Sequence, residues 1–346
     1  MLLLLLKLIF STFILVCFVL SILSMKNLGF ENVQLVPRYS SLPSRAAANT
    51  SVKLFKEFKL PVVPANMLTV INAKIAKQLS ESGHFYIFHR FGTDKDQTQP
   101  ATLTFIRNAQ DWHTISISTG VNDDTIETLK TVKSEGLRVD SICIDVAHAH
   151  HVKTRERIEW LREHLPNTYI IAGNLATAEA AEDLVKWGAD ALKCGIGTGS
   201  ICTTRLQTGF SIPAFSCVQR VSAISKHLIS HRGNKVPLIA DGGIRNIGDI
   251  AKAIVGGADM AMSGNLFATC IDSPAEIKDG KKAYFGSTSF QAKKSNTHIE
   301  GRLLEIEAGG TFESRLEEIK QALQSSISYS GGSDLSGLRD VEWIEI

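Results

Sequence analysis

Short apolar runs recur along the chain after Lys26, and each leads into a turn that bears glycine or asparagine and then into an amphipathic helical pattern. The runs are apolar or β-branched throughout rather than alternating, as expected for strands buried on both faces of a parallel sheet. They cover residues 61–67, 85–90, 114–120, 141–148, 169–177, 191–197, 236–243 and 260–267. Helical patterns between them include residues 124–136, 154–167, 177–189 and 246–258.

Eight strands that alternate with helices over about 210 residues predict an α/β fold, a (β/α)8 TIM barrel. The alternative is a doubly wound open sheet, but no GxGxxG opens an early helix. A polar segment (284–301) and an amphipathic helical pattern (312–332) follow the eighth run. We therefore expect a single catalytic domain over residues 26–346.

The first 25 residues form a separate hydrophobic segment. Residues 2–24 are long enough to span a bilayer and contain one charge, Lys7. They are either a membrane anchor or an amino-terminal extension, and Met25 could serve as the initiator. We expect a cytoplasmic protein, with membrane attachment through residues 2–24 as the alternative.

Composition narrows the class of protein. The 346 residues carry a formal net charge of +2 and no basic block, so nothing indicates nucleic acid as a partner. The six cysteines form no CxxC pair, which makes a disulfide framework or a zinc site unexpected and favours a reducing compartment.

A barrel fold predicts where the chemistry lies. Active sites of such barrels form where the strands end and the βα loops begin. Polar and glycine residues close several of the apolar runs, and we expect them to lie close together. They are Asn66, Met67, His89, Arg90, Asp145, His148, Asn174, the loop 195–204, Asp241, Gly242, Gly243, Gly264 and Asn265.

The loop after the sixth run, KCGIGTGSICTTR (193–205), holds a cysteine among glycines and hydroxyl side chains. Its three glycines allow positive φ and a close approach of the backbone to a ligand. Cys202 could form a thiolate there and attack a substrate, whereas the alternative is a flexible loop with an incidental thiol. The glycine spacing and the position after strand six favour a nucleophile.

The seventh and eighth runs each lead through glycine into a helix start, in IADGGIRNIGDIAKAI (239–254) and MAMSGNLFA (260–268). Barrels commonly bind phosphate at these two loops, through backbone N–H groups. Asp241 could accept hydrogen bonds from ribose hydroxyls. The alternative is a pair of ordinary βα turns.

Three histidines in DVAHAHH (145–151) suggest a metal site at first sight. Neighbouring residues of a strand point to opposite faces, so the three histidines do not all converge on one ion, and no HExxH or third ligand of suitable spacing accompanies them. We therefore expect Asp145 and its neighbours to contact substrate or cofactor rather than metal.

With these residues in view, the chain resembles the inosine-monophosphate dehydrogenase and guanosine-monophosphate reductase family, and within it most closely the reductases of bacterial type. The resemblance covers residues 29–346. Its motifs occur in family order: QLVPRYSSLPSR, LPVVPANM, IDVAHAH, IIAGNLAT, KCGIGTGSICTTR, IADGGIR, YFGS and LQSSISYSGG.

The resemblance implies an NADPH-dependent oxidoreductase of purine nucleotide interconversion, which irreversibly converts GMP to IMP and ammonia. In that family the loop cysteine, here Cys202, attacks C2 of the purine and forms a thioimidate. NADPH then delivers hydride to C2. The resemblance assigns protonation of the departing amine to Thr204 working with Glu300.

It also implies ligand contacts and a homotetramer. The GMP or IMP contacts it implies are Asp241, Gly242, Gly243, Gly264, Asn265, Gly286, Ser287, Thr288 and Gly301. The NADPH contacts it implies are Ser44, Arg45, Arg90, Asp145, Val146, Ala147, Ile196 and Gly197. The monovalent cation it implies, K⁺, would be held by Gly197, Gly199, Cys202 and Arg205.

Two alternatives stay open. An IMP dehydrogenase normally carries a regulatory domain pair after strand two and a flap with an Arg-Tyr pair. Here only residues 91–113 separate runs two and three, and residues 285–300 contain no Arg-Tyr. A non-catalytic nucleotide-binding relative would be expected to lose Cys202, Thr204 or Glu300, and all three are present. The sequence favours the reductase.

Overall fold

The structure is a computed structural model, and it describes residues 26–93, 99–293 and 297–346. The hydrophobic segment 2–24 lies outside these residues. Within the described ranges, no helix combines the length and the apolar character that a membrane crossing requires.

Strands and helices alternate along most of the chain. The strands are β1 (Val33–Leu35), β2 (Val52–Lys53), β3 (Glu57–Phe58), β4 (Val62–Pro64), β5 (Ser116–Thr119), β6 (Ser141–Asp145), β7 (Tyr169–Leu175), β8 (Ala191–Cys194), β9 (Leu238–Asp241), β10 (Met260–Ser263), β11 (Ile277–Lys278), β12 (Lys281–Phe285), β13 (Leu303–Glu307) and β14 (Trp343–Glu345). The α-helices are α1 (Ala73–Ser82), α2 (Ala101–Asn108), α3 (Asp123–Ser134), α4 (Val152–His164), α5 (Ala178–Trp187), α6 (Thr204–Thr208), α7 (Ala214–Ser225), α8 (Gly248–Val255), α9 (Asn265–Ala268), α10 (Phe290–Lys293) and α11 (Phe312–Tyr329). Short 3₁₀ helices span Phe30–Asn32, Arg45–Ala47 and Leu335–Asp340.

Seven parallel strands form one curled sheet in the order β4-β10-β9-β8-β7-β6-β5. The first strand of this set, β4, lies beside the last, β10, and the strands between follow in reverse chain order. With helices between successive strands, this arrangement fits an α/β barrel. Seven of the eight predicted runs therefore form strands of the sheet.

The second predicted run, residues 85–90, is the exception. It makes one parallel bridge, between Phe88 and Ile117 of β5. The N–H of Phe88 donates to the carbonyl of Ser116 at 2.9 Å, and Phe88 accepts from the N–H of Ser118 at 2.8 Å. At the opposite edge of the sheet, β4 ends at Pro64, which has no N–H to extend a ladder. The prediction of eight full strands was therefore wrong at this run.

The strand side chains divide between two buried clusters, which explains why the runs are apolar throughout. In β6, Ile142 and Ile144 belong to a large cluster that also contains helix residues such as Leu161 and Leu184. Cys143, which points to the other face, belongs to a second cluster of strand and loop residues. Burial on both faces leaves no position for the polar residues that an alternating pattern would show.

The predicted helical patterns after runs three, four, five and seven are confirmed as α3, α4, α5 and α8, and the carboxyl-terminal pattern as α11. Their starts carry the side chains that cap helices. Thr177 accepts the N–H of Ala180 before α5, and Thr311 accepts the N–H of Ser314 before α11. Each cap marks the point where the chain leaves a loop and turns back toward the next strand.

An antiparallel sheet that the sequence pattern did not predict flanks the polar segment after the eighth run. Its order is β11-β12-β13, with Phe285 of β12 opposite Leu303 of β13. Lys282 of β12 is fully buried and donates to the carbonyl of Cys270 at 2.6 Å and to the carbonyl of Ser273 at 2.8 Å. The two ends of the connection between β12 and β13 are held together by the pairing of Phe285 with Leu303.

Candidate active site

A cavity of about 220 Å³ lies at the carboxyl ends of the parallel strands. Asp145 closes β6, Asp241 closes β9, and the loop that follows β8 supplies the thiol. The predicted site residues that line the cavity are Arg90, Asp145, Val146, Ala147, Ile196, Gly197, Gly199, Cys202, Thr204, Asp241, Gly242, Gly286, Ser287, Thr288 and Gly301. Side chains from distant parts of the sequence thus meet at one edge of the sheet.

Other predicted residues lie next to this cavity rather than on its wall. Glu300 sits behind Thr204 and hydrogen-bonds to it. Gly243 approaches Ala214 of α7, and a Cβ built on Gly243 would lie 2.6 Å from the Ala214 side chain. Gly264 packs against Tyr284 and Met67, immediately before Asn265 opens α9.

Ser44 and Arg45 are not among the residues that line the cavity. Ser44 caps the 3₁₀ helix Arg45–Ala47, and its Oγ accepts the N–H of Ala46. The Arg45 guanidinium donates to Ser325 at 3.2 Å and lies 5.9 Å from the ring centroid of Tyr329, both on α11. Arg205, in α6, is exposed and also lies off the cavity wall.

A continuous hydrogen-bond chain runs through the catalytic residues that the sequence suggested. The Cys202 thiol donates to the hydroxyl of Thr204, with Sγ and Oγ1 3.2 Å apart. That hydroxyl donates in turn to Oε2 of Glu300 at 2.6 Å. A proton leaving the thiol therefore has a path to a carboxylate, and the same path can return a proton to a leaving group.

Backbone hydrogen bonds hold the thiol loop against the segment that carries Glu300. The N–H of Thr203 donates to the carbonyl of Glu300 at 2.8 Å, and the N–H of Arg302 donates to the carbonyl of Ile201 at 2.9 Å. Cys202 and Gly301 form an antiparallel bridge between these bonds. The thiol and its proton acceptor therefore sit on two strands of chain in fixed register.

Two glycines let this loop approach the end of β9. Gly195 has φ +134°, and a Cβ there would lie 1.9 Å from the carbonyl oxygen of Asp241. Gly242 has φ +86°, and a Cβ there would lie 2.3 Å from Oγ1 of Thr198. Thr198 uses the space to donate its hydroxyl to the Asp241 carbonyl at 3.0 Å. Any side chain at either glycine would push the loop away.

The residue at the centre of the polar network, Lys193, was not predicted as a site residue from the sequence. Lys193 of β8 is 1% exposed, and its ammonium donates to Oδ1 of Asp145 at 2.8 Å and to Oδ2 of Asp241 at 2.6 Å. It also donates to the amide oxygen of Asn174. The amide nitrogen of Asn174 donates to Asp241 at 2.9 Å, and Asn66 donates to Asp145 at 3.0 Å. The available signal was a lysine inside the otherwise apolar run ALKC.

Lys193 and Asp145 each stabilise the charged form of the other. Burial alone would lower the pKa of Lys193, but Asp145 and Asp241 outweigh burial and hold that pKa above its usual range. Burial would likewise raise the pKa of Asp145, but Lys193 outweighs it and holds that pKa below its usual range. Lys193 is therefore cationic, and Asp145 anionic, at neutral pH.

Arg90 and His89, neighbours at the end of run two, have different environments. Arg90 lines the cavity, and its buried Nε has no hydrogen-bond partner among the described residues. His89 is buried against the ring of Phe88 and accepts the N–H of Phe91, and burial lowers its pKa to about 4. The arginine is available to a ligand, whereas the histidine is a neutral core residue.

The histidines after β6 have structural partners. His150 pairs with Asp183 of α5 at 2.9 Å, and Nδ1 of His151 accepts the N–H of Lys153 at the start of α4. In the part of the chain that the structure describes, no three His, Cys, Asp or Glu side chains group as a metal site would require.

This geometry is that of an α/β-barrel protein in which a thiol, a hydroxyl and a carboxylate form one hydrogen-bond chain at the carboxyl ends of the strands. A family model described as the IMP dehydrogenase / GMP reductase domain matches residues 27–346. The chain belongs to this family.

Proteins similar to this chain are named GMP reductase in several bacteria. The GMP reductase of Staphylococcus carnosus is 42% identical over 326 residues, which cover 92% of this chain and 96% of that protein. The GMP reductase of Bacillus anthracis is 42% identical over 326 residues, with 92% and 95% covered. The GMP reductase of Chromobacterium violaceum is 41% identical over 327 residues, with 92% and 98% covered.

Proposed function

We propose that this chain is an oxidoreductase that reduces GMP to IMP and ammonia, with NADPH as hydride donor and a thioimidate on Cys202 as intermediate. The observation that carries the proposal is the hydrogen-bond chain from Cys202 through Thr204 to Glu300. A mere nucleotide-binding site has no need for a thiol in series with a carboxylate. The similar proteins named GMP reductase support the same assignment.

Covalent catalysis divides a difficult displacement into two easier ones. The Cys202 thiolate forms a bond to C2 of the purine after its proton passes through Thr204 to Glu300. The bond from C2 to the amino nitrogen then breaks, and the same two residues return the proton so that ammonia departs. Hydride addition to C2 of the remaining thioimidate expels the thiolate and leaves IMP.

The nucleotide is expected to bind between β9 and the connection after β12. Asp241 lines the cavity with about a fifth of its side chain exposed, so it can accept a hydrogen bond from a ribose hydroxyl. Gly242, Gly286, Ser287 and Thr288 line the same cavity and offer N–H groups and hydroxyls to a phosphate. Gly243, Gly264 and Asn265 complete the nucleotide contacts of the proposal, next to the cavity wall.

The nicotinamide cofactor would lie on the side of Arg90 and β6. The buried, unpartnered Nε of Arg90 and the cavity-lining residues 145–147 fit a polar, partly anionic ligand. When bound, such a cofactor supplies hydride to C2. Ile196 and Gly197 form the adjoining wall and exclude water from the thioimidate.

A monovalent cation, K⁺, is part of the proposal. The ligands implied by the resemblance are carbonyl oxygens of Gly197, Gly199, Cys202 and Arg205, and neutral oxygens suit a hard cation. The carbonyls of Gly199 and Arg205 each accept one backbone N–H, from Cys202 and Gly209, and each keeps a second lone pair. A homotetramer is also expected, and light scattering of the purified protein measures it.

The experiment is a product assay with two substrate pairs. With GMP and NADPH, the purified protein should oxidise NADPH and release equal amounts of IMP and ammonia. With IMP and NAD, it should form little XMP, because residues 285–300 lack the Arg-Tyr pair of the dehydrogenases. XMP formation as fast as GMP reduction would contradict the assignment.

A further inference from the structure

Lys193 occupies an unusual position for a lysine. It lies inside β8, between Leu192 and Cys194, and both neighbours are fully buried. A buried ammonium without partners would be strongly disfavoured, so its two carboxylate partners and one amide partner are a condition of its presence. Lys193 thereby joins the end of β6, with Asp145, to the end of β9, with Asp241.

The surrounding titratable groups do not replace this charge. Arg90 is the other cation that acts on Asp145. Cys143, Cys194 and Tyr284 also face the network, and all three are neutral in the physiological range. Burial raises the pKa of Cys143 and of Tyr284, and a hydrogen bond with Cys217 together with burial raises the pKa of Cys194. Lys193 is therefore the cation that contacts both aspartates directly.

We propose that Lys193 is a positioning residue of the active site: by pairing with Asp145 and Asp241 at the same time, it offsets their like charges, and it holds the amide of Asn174 beside Asp241. The inference rests on the proposed function, because it gives Asp241 to the nucleotide and Asp145 to the cofactor. It deepens that function by coupling the two binding regions through one buried charge.

Removal of the ammonium has a specific consequence. Two carboxylates that share one site cannot both ionise easily, so one of them takes up a proton at a higher pH. A protonated Asp241 is a weaker acceptor for a ribose hydroxyl. Loss of Lys193 should therefore weaken GMP binding more at acidic pH than at alkaline pH. A purely structural lysine would weaken binding equally at both.

The chain offers a matched control. Lys282 is also a fully buried lysine, but its ammonium donates to three carbonyls and to the hydroxyl of Ser273. Lys282→Met removes a buried charge of the same kind with no carboxylate in direct contact. Its effect on GMP affinity should not depend on pH between about 6 and 8.

The test is calorimetric GMP affinity at about pH 6 and about pH 8 for wild type, Lys193→Met, Lys282→Met and the double variant Lys193→Met/Asp145→Asn. We expect the ratio of Kd at the lower pH to Kd at the higher pH to rise about tenfold in Lys193→Met, the effect of one pKa unit. The double variant removes one of the two like charges, so the ratio should return toward that of wild type even though a second residue has been lost.

Three outcomes are distinguishable. An unchanged ratio in Lys193→Met, or a double variant that is worse than the single one, overturns the role of Lys193. If Lys193→Met does not fold, Lys193→Gln takes its place: it also removes the charge and keeps both aspartates, so a raised ratio supports the inference and an unchanged ratio contradicts it. Absence of GMP binding or turnover in the wild type would contradict the proposed function itself.

Discussion

Thr204 and Glu300, 96 residues apart in sequence, share a hydrogen bond of 2.6 Å in which the threonine hydroxyl donates to the carboxylate. The same hydroxyl accepts from the thiol of Cys202, so it cannot give up its proton without receiving another. In the proposed mechanism the two residues therefore function as one acid–base unit, in which Glu300 stores the proton and Thr204 delivers it.

Substitution of the nucleophile should abolish turnover without preventing binding. Cys202→Ala removes the thiol and keeps the loop, so kcat should fall to less than about a hundredth of wild type while the Kd for GMP changes little. Stopped-flow absorbance of NADPH and calorimetry with GMP measure the two quantities. Cys270→Ala, a buried cysteine away from the cavity, should keep its kcat. Substantial turnover by Cys202→Ala would argue against covalent catalysis.

Glu300→Gln should reduce kcat far more than it weakens GMP binding. The amide keeps the size of the side chain and can still accept from Thr204, but it cannot take up a proton. General acid–base contributions are about a hundredfold to ten-thousandfold. Steady-state kinetics on Glu300→Gln and on the exposed β13 variant Glu305→Gln tests this. Equal kcat values for the two variants would remove Glu300 from the mechanism.

Two substitutions distinguish the proposed proton-relay role of the Thr204 hydroxyl from the packing of its side chain. Thr204→Ser keeps the hydroxyl between sulfur and carboxylate, whereas Thr204→Val keeps the shape and removes the hydroxyl. We expect Thr204→Ser to lose less than about tenfold in kcat and Thr204→Val to approach the loss seen in Glu300→Gln. Similar rates for the serine and valine variants would mean that packing, and not proton transfer, explains the threonine.

Gly195 should tolerate no side chain. Gly195→Ala combines a positive φ with a Cβ 1.9 Å from the Asp241 carbonyl, so the loop must move away from β9. We expect at least about a tenfold rise in the Kd for GMP and a loss of stability of about 1–3 kcal/mol. Gly209→Ala has a similar positive φ, +78°, but nothing within 4 Å of the new Cβ. If both variants behave alike, backbone strain alone accounts for the effect.

His89 should make the fold sensitive to acid. Burial lowers its pKa to about 4, below the ordinary value of about 6.5, so the unfolded chain binds a proton that the folded chain refuses. The stability conferred by neutral His89 is therefore full above about pH 6.5 and is lost as the pH falls toward 4, by on the order of 3 kcal/mol. Urea unfolding of His89→Leu across this range should show a smaller pH dependence. The exposed His227→Leu should match wild type, and a His89→Leu protein that also matches would contradict the prediction.

The sequence predicts the fold well where strands are buried on both faces. Continuous apolar runs such as 141–148 and 191–197 became β6 and β8 because nearly all of their strand side chains are buried, on both faces of the sheet. Run 85–90 is equally apolar but forms a single bridge, since ladder formation depends on partner geometry that composition does not encode. The β11–β13 sheet escaped prediction because its exposed strand residues, including Glu305 and Glu307, resemble those of a loop.

The candidate site, like the fold, could be predicted from the sequence only in part. Cys202, Asp145 and Asp241 could be predicted, because strand ends of a barrel converge whatever lies between them. The partnership of Thr204 with Glu300 came only from the family resemblance, since no spacing rule joins residues so far apart. Lys193 was missed because a lysine in a strand is ordinarily exposed. Only its contacts with two other strand ends reveal its place.

Glu300 lies on the connection between β12 and β13 and is linked to the thiol through Thr204. The cysteine, Lys193 and both aspartates belong to the barrel itself. In the proposed mechanism, the nucleophile and the carboxylate that stores its proton are thus carried by different parts of the chain. Exchanges at Glu300 could alter which molecule leaves or enters at C2 of the purine, whereas residues 286–288 on the same connection line the cavity and would have to stay to hold the nucleotide. For protein engineers, this short connection is the place to redirect the reaction.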